Sequence, residues 1–181
     1  MAIDYGPLAG LIGTWKGDKG LDVAPEPDGV ERAHYFEVLA FEAGGDVENY
    51  VKQRLSILRY HQVVTRKSNG EVFHDQVGYW LWDPASKTVM QTLTIPRGIC
   101  LTAGGTATGA GPIVFEVRAA LGDPDWPVAQ SPFLRDHAST VAFHHRMTLD
   151  GDRLAYFETT TLAIYGQKGF AHTDQNELVR A

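Results

Sequence analysis

Apolar and polar positions alternate along most of this chain in short runs, with turn-forming residues between them. The plainest run is 112–121, where Ile113, Phe115, Val117 and Ala119 alternate with Glu116 and Arg118. That is the period-2 signature of a strand with one buried face. Comparable runs occupy 13–19 (centred on Trp15), 31–41, 47–55, 56–67, 71–82, 87–95, 99–105, 138–149, 153–165 and 170–180. Glu42-Ala43-Gly44-Gly45-Asp46, Asp83-Pro84-Ala85-Ser86, Pro96, the glycines around Thr108 and Asp150-Gly151-Asp152 break them apart. Ser68-Asn69-Gly70 predicts a hairpin, because Asn-Gly accepts the positive φ angles of a type I′ turn. Residues 7–12 predict a single helical turn, and 123–136 a long Pro-bearing connection of the kind that often carries function.

About ten strands in sequence, joined by tight turns and without a sustained amphipathic helix, predict an all-β fold. We read it as one closed, antiparallel up-and-down barrel, lipocalin-like or fatty-acid-binding-protein-like, over 1–181 as a single domain. Closure removes exposed edges, and a barrel of eight to ten strands has room for one small ligand. With 181 residues, 44% hydrophobic and 21% charged, the chain is long enough for a core and close to globular averages.

Composition then removes several functions. A net charge of −6, without a basic stripe, argues against nucleic acid. Cys100 stands alone, so no intrachain disulfide forms and a reducing, cytoplasmic setting is expected. Met1-Ala2-Ile3-Asp4-Tyr5 lacks the charged and apolar regions of a secretory leader, and no apolar stretch reaches membrane-spanning length. Monomer and homodimer both remain open.

Seven histidines are the obvious candidates for chemistry: His34, His61, His74, His137, His144, His145 and His172. None sits in a zinc motif, and His144 and His145 fall on opposite faces of one strand. Residues 104–109 are glycine-rich, but no helix follows to cradle a phosphate, so they read as a hairpin turn. Asp123-Pro124-Asp125-Trp126-Pro127 reads as an Asx/Pro turn rather than a cation loop.

Gly13-Thr14-Trp15 resembles the Gly-x-Trp signature of lipocalin-like barrels, in which the Trp closes one end beneath a cation of the last strand. Arg180 is placed for that cation–π contact. Several segments together resemble the nitrobindin-type haem-binding barrels: the opening at 7–17, Tyr60-His61-Gln62 with Phe73-His74-Asp75-Gln76-Val77-Gly78-Tyr79-Trp80, and His172 six residues after Gly166. The resemblance implies a ten-stranded barrel with one haem b near its mouth. Iron would be ligated by Nε2 of His172, with Nδ1–H held by a carbonyl or water. Tyr60, Gln62, Thr94 and Met147 would be further cofactor contacts. It also implies nitric oxide binding and isomerisation of peroxynitrite to nitrate at an open iron position.

The sequence departs from that family at several points. The run after His172 is polar, with Asp174 and Asn176 on the same strand face; Gln76 stands where Glu is common, and Leu81 where Arg is. Residues 20–29 lack the family's usual segment. Two other readings stay open beside haem. One is a non-metal carrier or sensor of a fatty acid or other small hydrophobic ligand, with Arg59 or Arg97 as its charge handle. The other is metal-free acid–base chemistry on a His172–Asp174–Asn176 face.

Overall fold

The computed structural model describes residues 3–181; Met1 and Ala2, the start of the segment read for a leader, lie outside the described residues. A 3-10 turn at Gly6–Leu11 leads into β1 (Gly13–Glu26), β2 (Gly29–Asn49), β3 (Gln53–Arg66), β4 (Val72–Asp83), β5 (Thr88–Ile95), β6 (Ile99–Thr108) and β7 (Ile113–Ala120). After a short β8 (Val128–Gln130) and helix α1 (Pro132–His137) come β9 (Ala138–Asp150), β10 (Arg153–Ile164) and β11 (Gln167–Arg180). Ten of these strands form a closed antiparallel ring. The first pairs with the last, β5 pairs with β6, and β7 passes directly to β9. β8 is an extra strand against residues 99–101 of β6.

The expected architecture is therefore the one observed, with local corrections. β1 continues through Glu26 instead of stopping at Lys19, and β2 runs on through Gly44-Gly45, where a bulge lets the strand continue. The division of 47–67, which no strong breaker marks in the sequence, falls early: a turn at 50–52 ends β2, with Tyr50 and Val51 at positive φ, and β3 begins at Gln53. The Asn69-Gly70 hairpin forms, but not as a two-residue type I′ turn. Only Gly70 takes a positive φ, within a longer loop closed by Arg66 N–H donating to the Glu71 carbonyl at 2.8 Å. The long connection contains β8 and α1, the latter capped by Ser131 Oγ accepting from the Leu134 N–H.

One end of the barrel is packed solid. Leu8, Leu11 and Trp15 are fully buried there, and the indole Nε1–H donates to the Leu11 carbonyl at 2.8 Å. The Arg180 guanidinium lies 4.2 Å from the Trp15 ring and donates to the carbonyls of Gly10 and Ile12 and to Asp152, each at 2.7 Å. The sequence-level role of Arg180 holds, and its hydrogen bonds also tie the 3-10 turn to the last strand.

Candidate functional site

Towards the other end the lumen opens into a cavity of about 430 Å³. Its two walls differ in chemistry. Leu93 and Ile95 of β5, Ile99 and Leu101 of β6 and Phe143 of β9 make one wall apolar, with Leu134 of α1 beside them. The facing wall carries Asp22 of β1, Glu158 of β10 and His172 and Asp174 of β11, flanked by His74 and Gln76 of β4.

Strand register builds the polar wall. Asp22 sits opposite Asp174, Asp174 opposite Glu158, and Glu158 opposite His145, so four titratable side chains form a row across four neighbouring strands. Like charges in directly opposed positions are unfavourable, and burial adds to this by disfavouring the ionised forms. Burial, and then the neighbouring Glu37, push Glu158 up to about 8. Burial also raises Asp174 well above the carboxylate range; Glu158 and Asp22 add to that while His172 opposes it. Burial and then His144 press His145 down to about 3, so it is neutral. His145 Nδ1–H donates to Gln91 Oε1 at 2.9 Å, and its Nε2 is the one fully buried side-chain polar atom without a partner among the described residues.

His172 stands beside this row. Its Nε2–H donates to Asp22 Oδ1 at 2.6 Å, and Asp174 Oδ2 lies 3.5 Å from the same nitrogen. Burial disfavours the imidazolium, but the Asp22 hydrogen bond and the charges of Asp174 and Asp22 outweigh it, so the pKa is raised above its ordinary value. The three groups present ligand atoms within 4.8 Å of one another, a set that could hold a divalent cation if the imidazole changed from donor to ligand.

Beneath the cavity, Glu37 is a buried carboxyl that accepts from Gln62 Nε2 and Asn176 Nδ2 at 2.8 Å and from the Tyr156 hydroxyl at 2.9 Å. Burial raises its pKa, and these three donors work against the rise. A second chain joins His74, Gln76, Tyr60, Gln91 and His145 through side-chain hydrogen bonds. Gly20 makes room for this interior: a Cβ there would stand 2.1 Å from the Tyr35 ring, whose hydroxyl meets that of Tyr156 at 2.8 Å.

Of the residues the sequence singled out, His172 lines the cavity. Tyr60 and Met147 are buried in the packed core, and Gln62 is tied to Glu37. Thr94 is corrected: Leu93 and Ile95 line the cavity, and the residue between them in a strand takes the outer face, where Thr94 is exposed. Arg59 is likewise outside, exposed and paired with Glu42, whereas Arg97 reaches the cavity. His172, Asp174 and Asn176 do share one face, but the carboxylate nearest the imidazole comes from β1, and Asn176 serves Glu37. Sequence reading missed Asp22, Glu37 and Glu158. The last two share the inward parity of Tyr35 and Leu39 and of Tyr156, a signal the alternation did contain.

Residues 4–180 match the family model described as the THAP4-like, heme-binding beta-barrel domain. The chain belongs to that family. This agrees with the nitrobindin-type resemblance noted in the sequence. Among solved structures, the barrel is similar to the crystal structure of Rv2717c from M. tuberculosis, at 23% identity and a TM-score of 0.72, covering 98% of this chain and 99% of that one. At that identity the likeness speaks for the fold. No curated protein matches the chain.

The family's ligand can be tested against these side chains. The nitrogen expected to face iron, Nε2 of His172, is the one that donates to Asp22, and Nδ1 has no carbonyl partner among the described residues. A protonated Nε2 has no lone pair to give. As arranged, the residues do not fit a haem ligated in that way.

Proposed function

We propose that this barrel takes one small amphiphilic molecule into its lumen, with its apolar body against Leu93, Leu101 and Phe143 and its polar end at His172, Asp22 and Asp174. The supporting observation is the two-sided cavity, apolar on one wall and lined by acids and imidazole on the other. A neutral hydrogen-bonding group suits that end best, because burial keeps Glu158 and Asp174 protonated and the cations of His172 and Arg97 offset Asp22. The test is uptake of Nile red, an uncharged polarity-sensitive dye, by the purified protein. One dye per chain, displaced by long-chain alcohols better than by amines or fatty acids of equal length, is the expected result; absence of uptake at micromolar protein refutes the reading.

Family membership favours a second reading, in which the ligand is haem, haem b in the resemblance's form, and the protein handles nitric oxide or isomerises peroxynitrite. Arg66 and Arg97 at the cavity offer cations for propionates. When bound, the group would supply a redox-active iron open to a diatomic or oxidant. The side chains hold His172 on Asp22, so haem titrated into the wild-type protein is expected to give no His-ligated Soret shift. A saturable shift that disappears in His172→Ala would establish the haem reading instead.

A further inference from the structure

The side chain that occupies His172 comes from the neighbouring strand, β1. Asp22 is buried, belongs to a different strand from His172, and takes the single proton on Nε2 at 2.6 Å. It reaches that position because β1 carries an extra residue between Gly17 and Gly20, which brings Gly20, Asp22 and Ala24 to the inside. Without the extra residue the inward parity of Trp15 would continue through Lys19, and Asp22 would face outward. Metal-binding imidazoles are also commonly held by a carboxylate, but through the nitrogen that does not bind the metal. Here the carboxylate holds the nitrogen that iron would need.

We propose that Asp22 is a specificity-determining residue of this lumen, a carboxylate that keeps His172 Nε2 as a hydrogen-bond donor and so disfavours haem iron at that nitrogen. This rests on the lumen-binding reading. Asp174 Oδ2, 3.5 Å from the same nitrogen, is a reserve acceptor that can take over if Asp22 alone is changed.

The experiment compares haem titrations of the wild-type protein, Asp22→Ala and the double variant Asp22→Ala, Asp174→Ala, each also combined with His172→Ala. Absorbance reads iron ligation and Nile red reads the lumen. The expected result is no His-ligated Soret shift in the wild type at haem concentrations that saturate the variants, an affinity gain of about ten-fold or more without Asp22, the scale of one charge-assisted hydrogen bond. The gain should be lost again with His172→Ala. Equal His172-dependent haem affinity in the wild type and both variants overturns the proposal. So does a failure of both folded variants to bind haem while Nile red still enters, and that outcome leaves the lumen-binding reading standing. Loss of Nile red from the wild type would overturn that reading by itself. Circular dichroism identifies a variant that has not folded; Asp22→Leu, with the same branched shape and no polar group, then takes its place.

Discussion

Glu158 places a proton in the barrel that an exposed glutamate would have lost. Its pKa is raised to about 8, so between the ordinary carboxyl range and pH 8 the unfolded chain gives up a proton that the folded one retains. Folding stability must fall across that window as pH rises, and be unaffected by this group below it. Glu158→Gln is accordingly expected to stabilise the protein by up to roughly 3 kcal/mol at pH 7 and hardly at all at pH 4, as measured by urea unfolding. His172 has the opposite sign of charge: its raised pKa adds stability that is complete below about pH 6.5 and disappears as pH rises through the higher folded value. The stability gap between wild type and His172→Gln should therefore narrow from pH 6 towards pH 9. At this scale the sequence could be read unevenly. His145 alternates with Phe143, Met147 and Leu149, and Glu37 with Tyr35 and Leu39, so parity alone marks both as interior. Asp22 was hidden, because the bulge before Gly20 reverses the parity that Trp15 sets, and nothing in the letters announces an extra residue.

At the scale of elements, the packed end depends on two segments far apart in sequence meeting over one indole. Arg180 closes β11 against the 3-10 turn with a ring contact and three hydrogen-bonded partners. Arg180→Ala leaves two carbonyls without their donor and uncovers Trp15, and is expected to cost about 1–3 kcal/mol in urea unfolding. Arg180→Lys should recover only part of that, since an ammonium cannot serve both carbonyls while lying flat on the ring. This contact was legible from the Gly-x-Trp spacing and the position of Arg180. The turn between β2 and β3 was not: Tyr50 and Val51 adopt positive φ although neither residue type favours it, so the chain offered no glycine or proline as a marker.

For the whole molecule, the ring of ten strands is set by pairings that alternation and turns make readable, while the division of its interior into packed floor and hollow top depends on how side chains meet. Leu101 is buried and faces the hollow part. Leu101→Trp should occupy that space, lowering Nile red uptake at least ten-fold, with little loss of stability because the added ring fills a void rather than a packed site.

The barrel is sealed at the Trp15 end, and α1 sets Leu134 beside the cavity at the other. With the Trp15 end closed, a guest that enters past α1 leaves by the same route. Obstructing that route changes how fast traffic passes in both directions and not how many guests are inside at equilibrium. Trimming the helix side chain with Leu134→Ala should thus speed both uptake and release of dye in stopped-flow traces, release the more, because Leu134 also lines the cavity and its loss weakens binding slightly.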